Sequence, residues 1–179
     1  MGFFLFSGAA LVPPASTSTP ITPALPSYAV TLTAYNAVPE QTSDHPFVTA
    51  SGTYSNPETV AARSQNLASK FPFGTIIEID SSSVSGGLCG YGIVKPLVGY
   101  RVIADTMNAR YTDRIDLLFS TTTNYAMADG IENASTVLGV CTTNVRVVGF
   151  VNITNPNHLP KTQADLTAIV KGDGGLALK

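Results

Sequence analysis

The sequence predicts a mainly β protein: a small closed β-barrel of about six strands with one or two short helices. Three observations carry this. Short runs of β-branched, aliphatic and aromatic residues recur along the chain, at 28–35, 76–80, 100–104, 115–119 and 137–151. Long polar or Gly/Ser connections separate them, and no strand–helix–strand unit repeats, which argues against an open α/β sheet. Charged residues make up only 12 % of the 179 residues, against roughly 25 % in ordinary soluble domains. That balance suits a β-rich, extracytoplasmic domain with a polar, uncharged surface.

Taken in order, MGFFLFSGAALV is an apolar run about as long as a signal-peptide core. It is shorter than the roughly 20 residues that span a bilayer. Export is therefore expected, with Ala15-Ser16 as a candidate cleavage site and an uncleaved N-terminal anchor as the alternative. Residues 12–26, VPPASTSTPITPALP, carry five prolines among Ser, Thr and Ala, a composition that forms an extended linker. Segment 1–26 is thus read as leader and linker, 27–151 as the barrel domain and 152–179 as a C-terminal extension.

Tyr28 to Tyr35 alternates as a first strand. The polar loop 36–52, broken by Pro39 and Pro46, is long enough to be functional, and His45 is a candidate contact within it. Residues 56–70 are spaced for a short helix or turn, 76–80 for a strand and 81–87 for a loop. The stretch 89–98 reads as a hairpin or irregular edge broken by Pro96. After the central strands, Ser120 or Thr121 caps a short helix through Met127, with Gly130 as its stop and 131–135 as a further turn or loop. Residues 137–151 form the last strand and 162–171 one peripheral helix, and the end from Gly172 onward frays.

A net charge of −2 gives no footprint for nucleic acid. A neutral or polar ligand such as a glycan fits better. Cys89 and Cys141 are the minimum for one disulfide, which export would permit; two independent apolar cysteines are the alternative. No zinc-ligand spacing occurs, so no metal and no cofactor are expected. The pair forms no CxxC motif, which counts against a redox protein.

Chemistry concentrates in residues 100–119, YRVIADTMNARYTDRIDLLF. Two strands flank the polar loop 106–114, and Asp105 and Asp116 bracket it, so a fold-back brings both carboxylates to one mouth. Asp116 lies in an apolar run, where a carboxylate costs free energy unless partnered. Asp113 lies in the loop between Arg110 and Arg114 and is read as solvating it.

LTAYN at 32–36, PEQT at 39–42, TASG at 49–52, FGT at 73–75, DTMNAR at 105–110 and RID at 114–116 follow one another in a fixed order. Together they resemble the three-aspartate (3D) domain of peptidoglycan lytic transglycosylases, a double-psi β-barrel, over about residues 28–151. The resemblance implies cleavage of the β-1,4 bond between N-acetylmuramic acid and N-acetylglucosamine, leaving a 1,6-anhydro end. Asp105 resembles the family's second aspartate and Asp116 the third, the expected acid/base. The first aspartate should follow Val60-Ala61-Ala62, where this chain reads Arg63, Ser64, Gln65 and Asn66, with no carboxylate.

An ordinary glycosidase needs two carboxylates. The implied reaction uses the substrate's own C6 hydroxyl as nucleophile, so one carboxyl can protonate the leaving oxygen and then deprotonate that hydroxyl. Apolar flanks and a negative Asp105 should raise the Asp116 pKa. Thr49, Ser51, Asn108 and Arg110 are candidate donors to the sugar. Tyr35 and Tyr111 are candidate stacking rings, with barrel packing as the alternative for both. A non-catalytic wall-glycan binding module on the same barrel is the competing reading, supported by the missing first aspartate. The expected partner in either case is the peptidoglycan glycan strand, with no nucleic acid and with membrane contact only through an N-terminal anchor.

Overall fold

A computed structural model of the chain describes residue 1, residues 25–154 and residues 159–172. The proposed leader, most of the proline-rich linker and the end beyond Gly172 therefore lie outside the described residues. Among the described residues there are nine strands: β1 (Ser27–Asn36), β2 (Val60–Arg63), β3 (Thr75–Ile79), β4 (Ser85–Cys89), β5 (Tyr100–Thr106), β6 (Arg114–Phe119), β7 (Asn124–Met127), β8 (Gly130–Asn133) and β9 (Gly139–Phe150). Three short helices accompany them, α1 (Tyr91–Val98), α2 (Ala134–Leu138) and α3 (Gln163–Lys171).

Six strands close on themselves in the order β1-β6-β2-β5-β3-β9, with β9 pairing back to β1 and β4 added outside β9. The barrel is mixed: β1/β6 and β2/β5 are parallel and the remaining barrel pairs antiparallel. The expected small β-barrel is therefore present, with three short helices rather than one or two.

Period-two alternation divides the apolar residues between two cores. One takes Leu32, Ala61, Ile77, Ile103, Ile115 and Val145, one or more from every barrel strand, and so fills the interior, with Val94 of α1 and Leu138 of α2 packed on it. The other takes the residues of opposite parity, Val60, Ile76, Val102 and Leu118, and is covered by Val151, Ile153, Leu159 and Leu166. Leu166 of α3 is fully buried, so the segment after 151 packs against the barrel wall. Thr162 caps α3 through a reciprocal box with Asp165, as the sequence pattern 162–171 requires.

Several local expectations are corrected. Within 56–70, where a short helix or turn is expected, residues 60–63 form the central strand β2, and a single 3-10 turn, Gln65–Leu67, follows. Residues 91–98 form helix α1 despite Pro96, and 85–89 form the edge strand β4 rather than loop. Segment 124–133 is the β7/β8 hairpin, and Gly130 opens β8 at φ +135° instead of stopping a helix. Cys89 and Cys141 form a disulfide joining β4 to β9, across a sequence separation of 52.

Arg101 is the largest fully buried side chain. Its guanidinium donates to the carbonyls of Val98, Pro57, Val60, Leu118 and Leu97, tying α1 to β2 and β6. Burial pushes its pKa down to about 10, so it stays charged at neutral pH. At the FGT motif, Gly74 adopts φ +94° and lies so close to Val151 that a Cβ would come within 2.1 Å of its carbonyl oxygen. Its amide donates to Ile103 and its carbonyl accepts from Val151, which pins β5 to the chain leaving β9.

Candidate active site

The candidate site is built on one transverse row of the barrel. Thr33 of β1 is the register partner of Asp116 of β6, and Ala62 of β2 is the partner of Asp116 on one side and Asp105 of β5 on the other. Register partners project from the same face of a sheet, so both carboxylates stand on one wall with the small side chain of Ala62 between them. That wall floors a groove of about 1010 Å³, lined by Thr33, Ala62, Asp105 and Asp116 and rimmed by the loops 40–50 and 106–111.

A bulge makes this possible. Ala61 pairs with Ile103 but Ala62 pairs with Asp105, so Ala104 is the extra residue in β5. Without it Ala104 would stand opposite Ala62, and Asp105 would point to the other face. The loop carrying TASG docks on the bulge. The Ser51 amide donates to the Ala104 carbonyl at 3.1 Å, and the Ala50 amide donates to Asp105 Oδ1 at 2.9 Å. Beneath, the hydroxyls of Thr49, Ser51 and Thr53 bond one another at 2.9–3.1 Å. Thr49 is buried in that network, so its hydroxyl braces the loop rather than facing a ligand.

Asp105 accepts three hydrogen bonds, from the Ala50 and Thr106 amides and from the Tyr35 hydroxyl at 2.9 Å. An acceptor-only carboxylate is well served by three donors. The ring of Tyr35 is packed into the outer core, which leaves no face for a pyranose; its contribution to the groove is the hydroxyl. Burial, then the Asp105 charge, hold the Tyr35 pKa well above its ordinary value, so the phenol stays a donor.

Asp116 is differently placed. It is only partly open to the groove, and its carboxylate accepts one side-chain bond, from Thr33 Oγ1 at 2.7 Å. Burial pushes its pKa up to about 6, the Asp105 charge adds to this, and the Thr33 bond and the Arg114 charge oppose it. Two carboxyls on one wall thus differ in environment: one ringed by donors, the other enclosed and able to hold a proton near neutrality.

The rim holds Asn108, Arg110 and Tyr111. The Asn108 side chain accepts from the Arg110 amide and shapes the turn. The guanidinium carbons of Arg110 and Arg114 lie 4.7 and 4.9 Å from the centre of the Tyr111 ring, so its face is occupied by cations. His45 lies at the exposed opposite rim. Asp113 adopts φ +52° and exchanges two hydrogen bonds with Asn66, a structural staple for the loop rather than free solvation. Arg63, the first residue of the segment 63–66 where the resemblance asks for a first aspartate, turns away from the groove. Its Nε donates to the Phe71 carbonyl at 2.7 Å and its guanidinium lies 4.9 Å from the Phe73 ring centre.

The groove lining therefore includes Asp105, Asp116, Tyr35, Thr49, Asn108 and Arg110, whereas Ser51 is not part of it. Sequence reasoning missed Thr33, the Ala50 amide and Arg114. Thr33 had a legible signal, because it shares strand parity with Tyr35; the amide had none. Among the described residues no group of three or more His, Cys, Asp or Glu could hold a metal ion. No protein-family model and no curated protein matches this chain.

Proposed function

We propose that the chain is a lytic transglycosylase acting on peptidoglycan, with Asp116 as its single acid/base. The supporting observation is the pair of unlike carboxyls: Asp116, enclosed with its pKa at about 6, beside Asp105, held by three donors. Protonated Asp116 gives its proton to the glycosidic oxygen as the bond from C1 of the muramyl residue breaks. The oxocarbenium-like centre is stabilised by the fixed negative charge of Asp105. Asp116, now a carboxylate, takes the proton from the C6 hydroxyl as O6 bonds to C1. No water is consumed and the acid is regenerated. The six ordered motifs that resemble the three-aspartate family support the same reading, as does a groove roomy enough for sugar rings. Export completes it, since the Cys89–Cys141 bond is of the kind sustained in oxidising compartments.

One observation favours the competing reading of a wall-glycan binding module. Ala62 stands between the two carboxylates and Arg63 faces elsewhere, so the segment after β2 brings no carboxylate to this wall; the third acid of the groove lining, Glu40, comes from the rim loop. Digestion of purified peptidoglycan followed by mass spectrometry of the muropeptides separates the two. Anhydro ends are expected; retention on the wall without any anhydro product establishes the binding module instead.

A further inference from the structure

The loop 106–114 carries two cations, and the nearest acid in sequence does not neutralise them. Asp113 gives its carboxylate to the Asn66 side-chain amide at 2.9 Å. Among the described residues the one ion pair is Arg146–Glu78, on the β3/β9 pair. Arg110 spends one donor on the Tyr111 hydroxyl at 2.8 Å, and each guanidinium offers five N–H groups. Both cations lie over the same tyrosine ring, at 4.7 and 4.9 Å from its centre, and all three residues line the groove. A ring beneath a guanidinium holds its plane while leaving the N–H edge free for an anion. In a chain of net charge −2, two arginines with no ion-pair partner among the described residues, at a groove whose lining also holds Glu40, Asp105 and Asp116, are a specific feature; Arg114 reaches Asp116 only through its longer-range charge.

We infer that Arg110 and Arg114, ordered on Tyr111, form a subsite for a carboxylate carried by the bound sugar. The groove thereby selects muramyl residues whose lactyl carboxyl is free rather than amide-linked to a stem peptide, over neutral poly-N-acetylglucosamine. This rests on the glycan reading above and adds to it the group that is recognised. A planar fork meets a carboxylate through two parallel hydrogen bonds, which a neutral ester or an acetamido group cannot match.

The test is calorimetric titration of the Asp116→Asn protein, which holds ligand without turnover, at low salt. Three probes are compared: a tetrasaccharide of alternating N-acetylglucosamine and N-acetylmuramic acid with free lactyl carboxylates, its methyl ester, and chitotetraose. The free acid is expected to bind about tenfold or more tightly than the other two. Adding Arg110→Gln and Arg114→Gln should shrink that gap to about twofold, and Arg→Lys at both positions should recover part of it, because charge returns without the fork. Arg110→Gln alone, on the exposed loop, guards against misfolding of the double variant. Equal binding of acid and ester, a gap that survives loss of both arginines, or binding of none of the probes overturns the subsite. Anhydro ends made by the unmodified protein are scored separately. A preference without anhydro ends removes the transglycosylase reading and leaves the subsite standing, whereas anhydro ends without a preference do the reverse.

Discussion

Thr33 Oγ1 donates to Asp116 Oδ1 at 2.7 Å across the parallel β1/β6 pair, and it is the one side-chain donor to that carboxylate among the described residues. The bond favours the ionised form and works against burial, so it sets how far the Asp116 pKa rises. Thr33→Val keeps the shape and removes the donor. The Asp116 pKa is then expected to climb further, and the alkaline limb of the pH–rate profile should move upward with it. An unmoved limb would show that Asp116 does not govern it.

Asp116 should also cost stability at neutral pH. Its folded pKa of about 6 lies above the ordinary carboxylate value of 3.8, so the folded state holds the proton more tightly than the unfolded chain. The benefit is complete below about pH 4 and is lost as pH rises to about 6 and beyond. Asp116→Asn removes the ionisation. It should therefore match the parent protein at pH 4 and exceed it by about 1–3 kcal/mol at pH 8 in denaturant unfolding. The same variant should lose about 10²–10⁴-fold in anhydro-product formation, so stability and activity move in opposite directions. Parallel unfolding curves at both pH values would contradict the burial argument.

Asp105 is fixed by three donors, so its part is to orient. Asp105→Asn should reduce activity less than Asp116→Asn, and Tyr35→Phe, which removes one of three donors, less again, about tenfold or below. Initial rates of anhydro-muropeptide release by purified variants of equal thermal stability would rank them. A Tyr35→Phe rate as low as that of Asp116→Asn would move the acid role to the tyrosine side of the groove.

At Asp113 the backbone decides. With φ at +52° and a reciprocal pair of bonds to Asn66, asparagine is tolerated and still bonds, so Asp113→Asn should change little. Asp113→Val places a β-branched residue in the left-handed region and breaks the staple, at a cost of roughly 2–3 kcal/mol. Thermal unfolding of the two variants side by side reads the difference.

The disulfide joins an edge strand to the longest barrel strand. Closing a loop of 52 residues removes chain entropy equivalent to about 4 kcal/mol in the loop-closure treatment, with native-state effects lowering what is observed. Cys89→Ser with Cys141→Ser should lower the unfolding midpoint while leaving the Asp105–Asp116 wall intact, since neither cysteine adjoins it. Unchanged stability after reduction would show that β4 adds nothing to the barrel.

What the sequence revealed follows the length and purity of each pattern. Tyr28–Tyr35, 100–104 and 115–119 alternate over enough residues to be read, and Asp105 and Asp116 were placed by the ends of those strands. β2 was hidden because it is four residues long, and its alanines suit helix as well as strand. α1 was hidden by Pro96, which reads as a breaker although helix persists around it. The β7/β8 turn is centred on Ala128 and Asp129, a pair that carries no strong hairpin signal, and Gly130 at φ +135° is already the first residue of β8, paired with Met127. The groove's remaining parts are long-range matters. Thr33 meets Asp116 across 83 residues and Tyr35 meets Asp105 across 70, separations that no local window spans.

The extra residue at Ala104 turns the pairing of the two carboxylates into a matter of parity. A single deletion in β5 ahead of Asp105 would leave every functional side chain in the chain and still send one of them to the wrong face, whereas many substitutions along the same strand would keep it. Chain length in that one strand is therefore under tighter constraint than composition. Descendants of this sequence can be expected to vary freely in which small residue occupies the slip, and hardly at all in whether the slip is there.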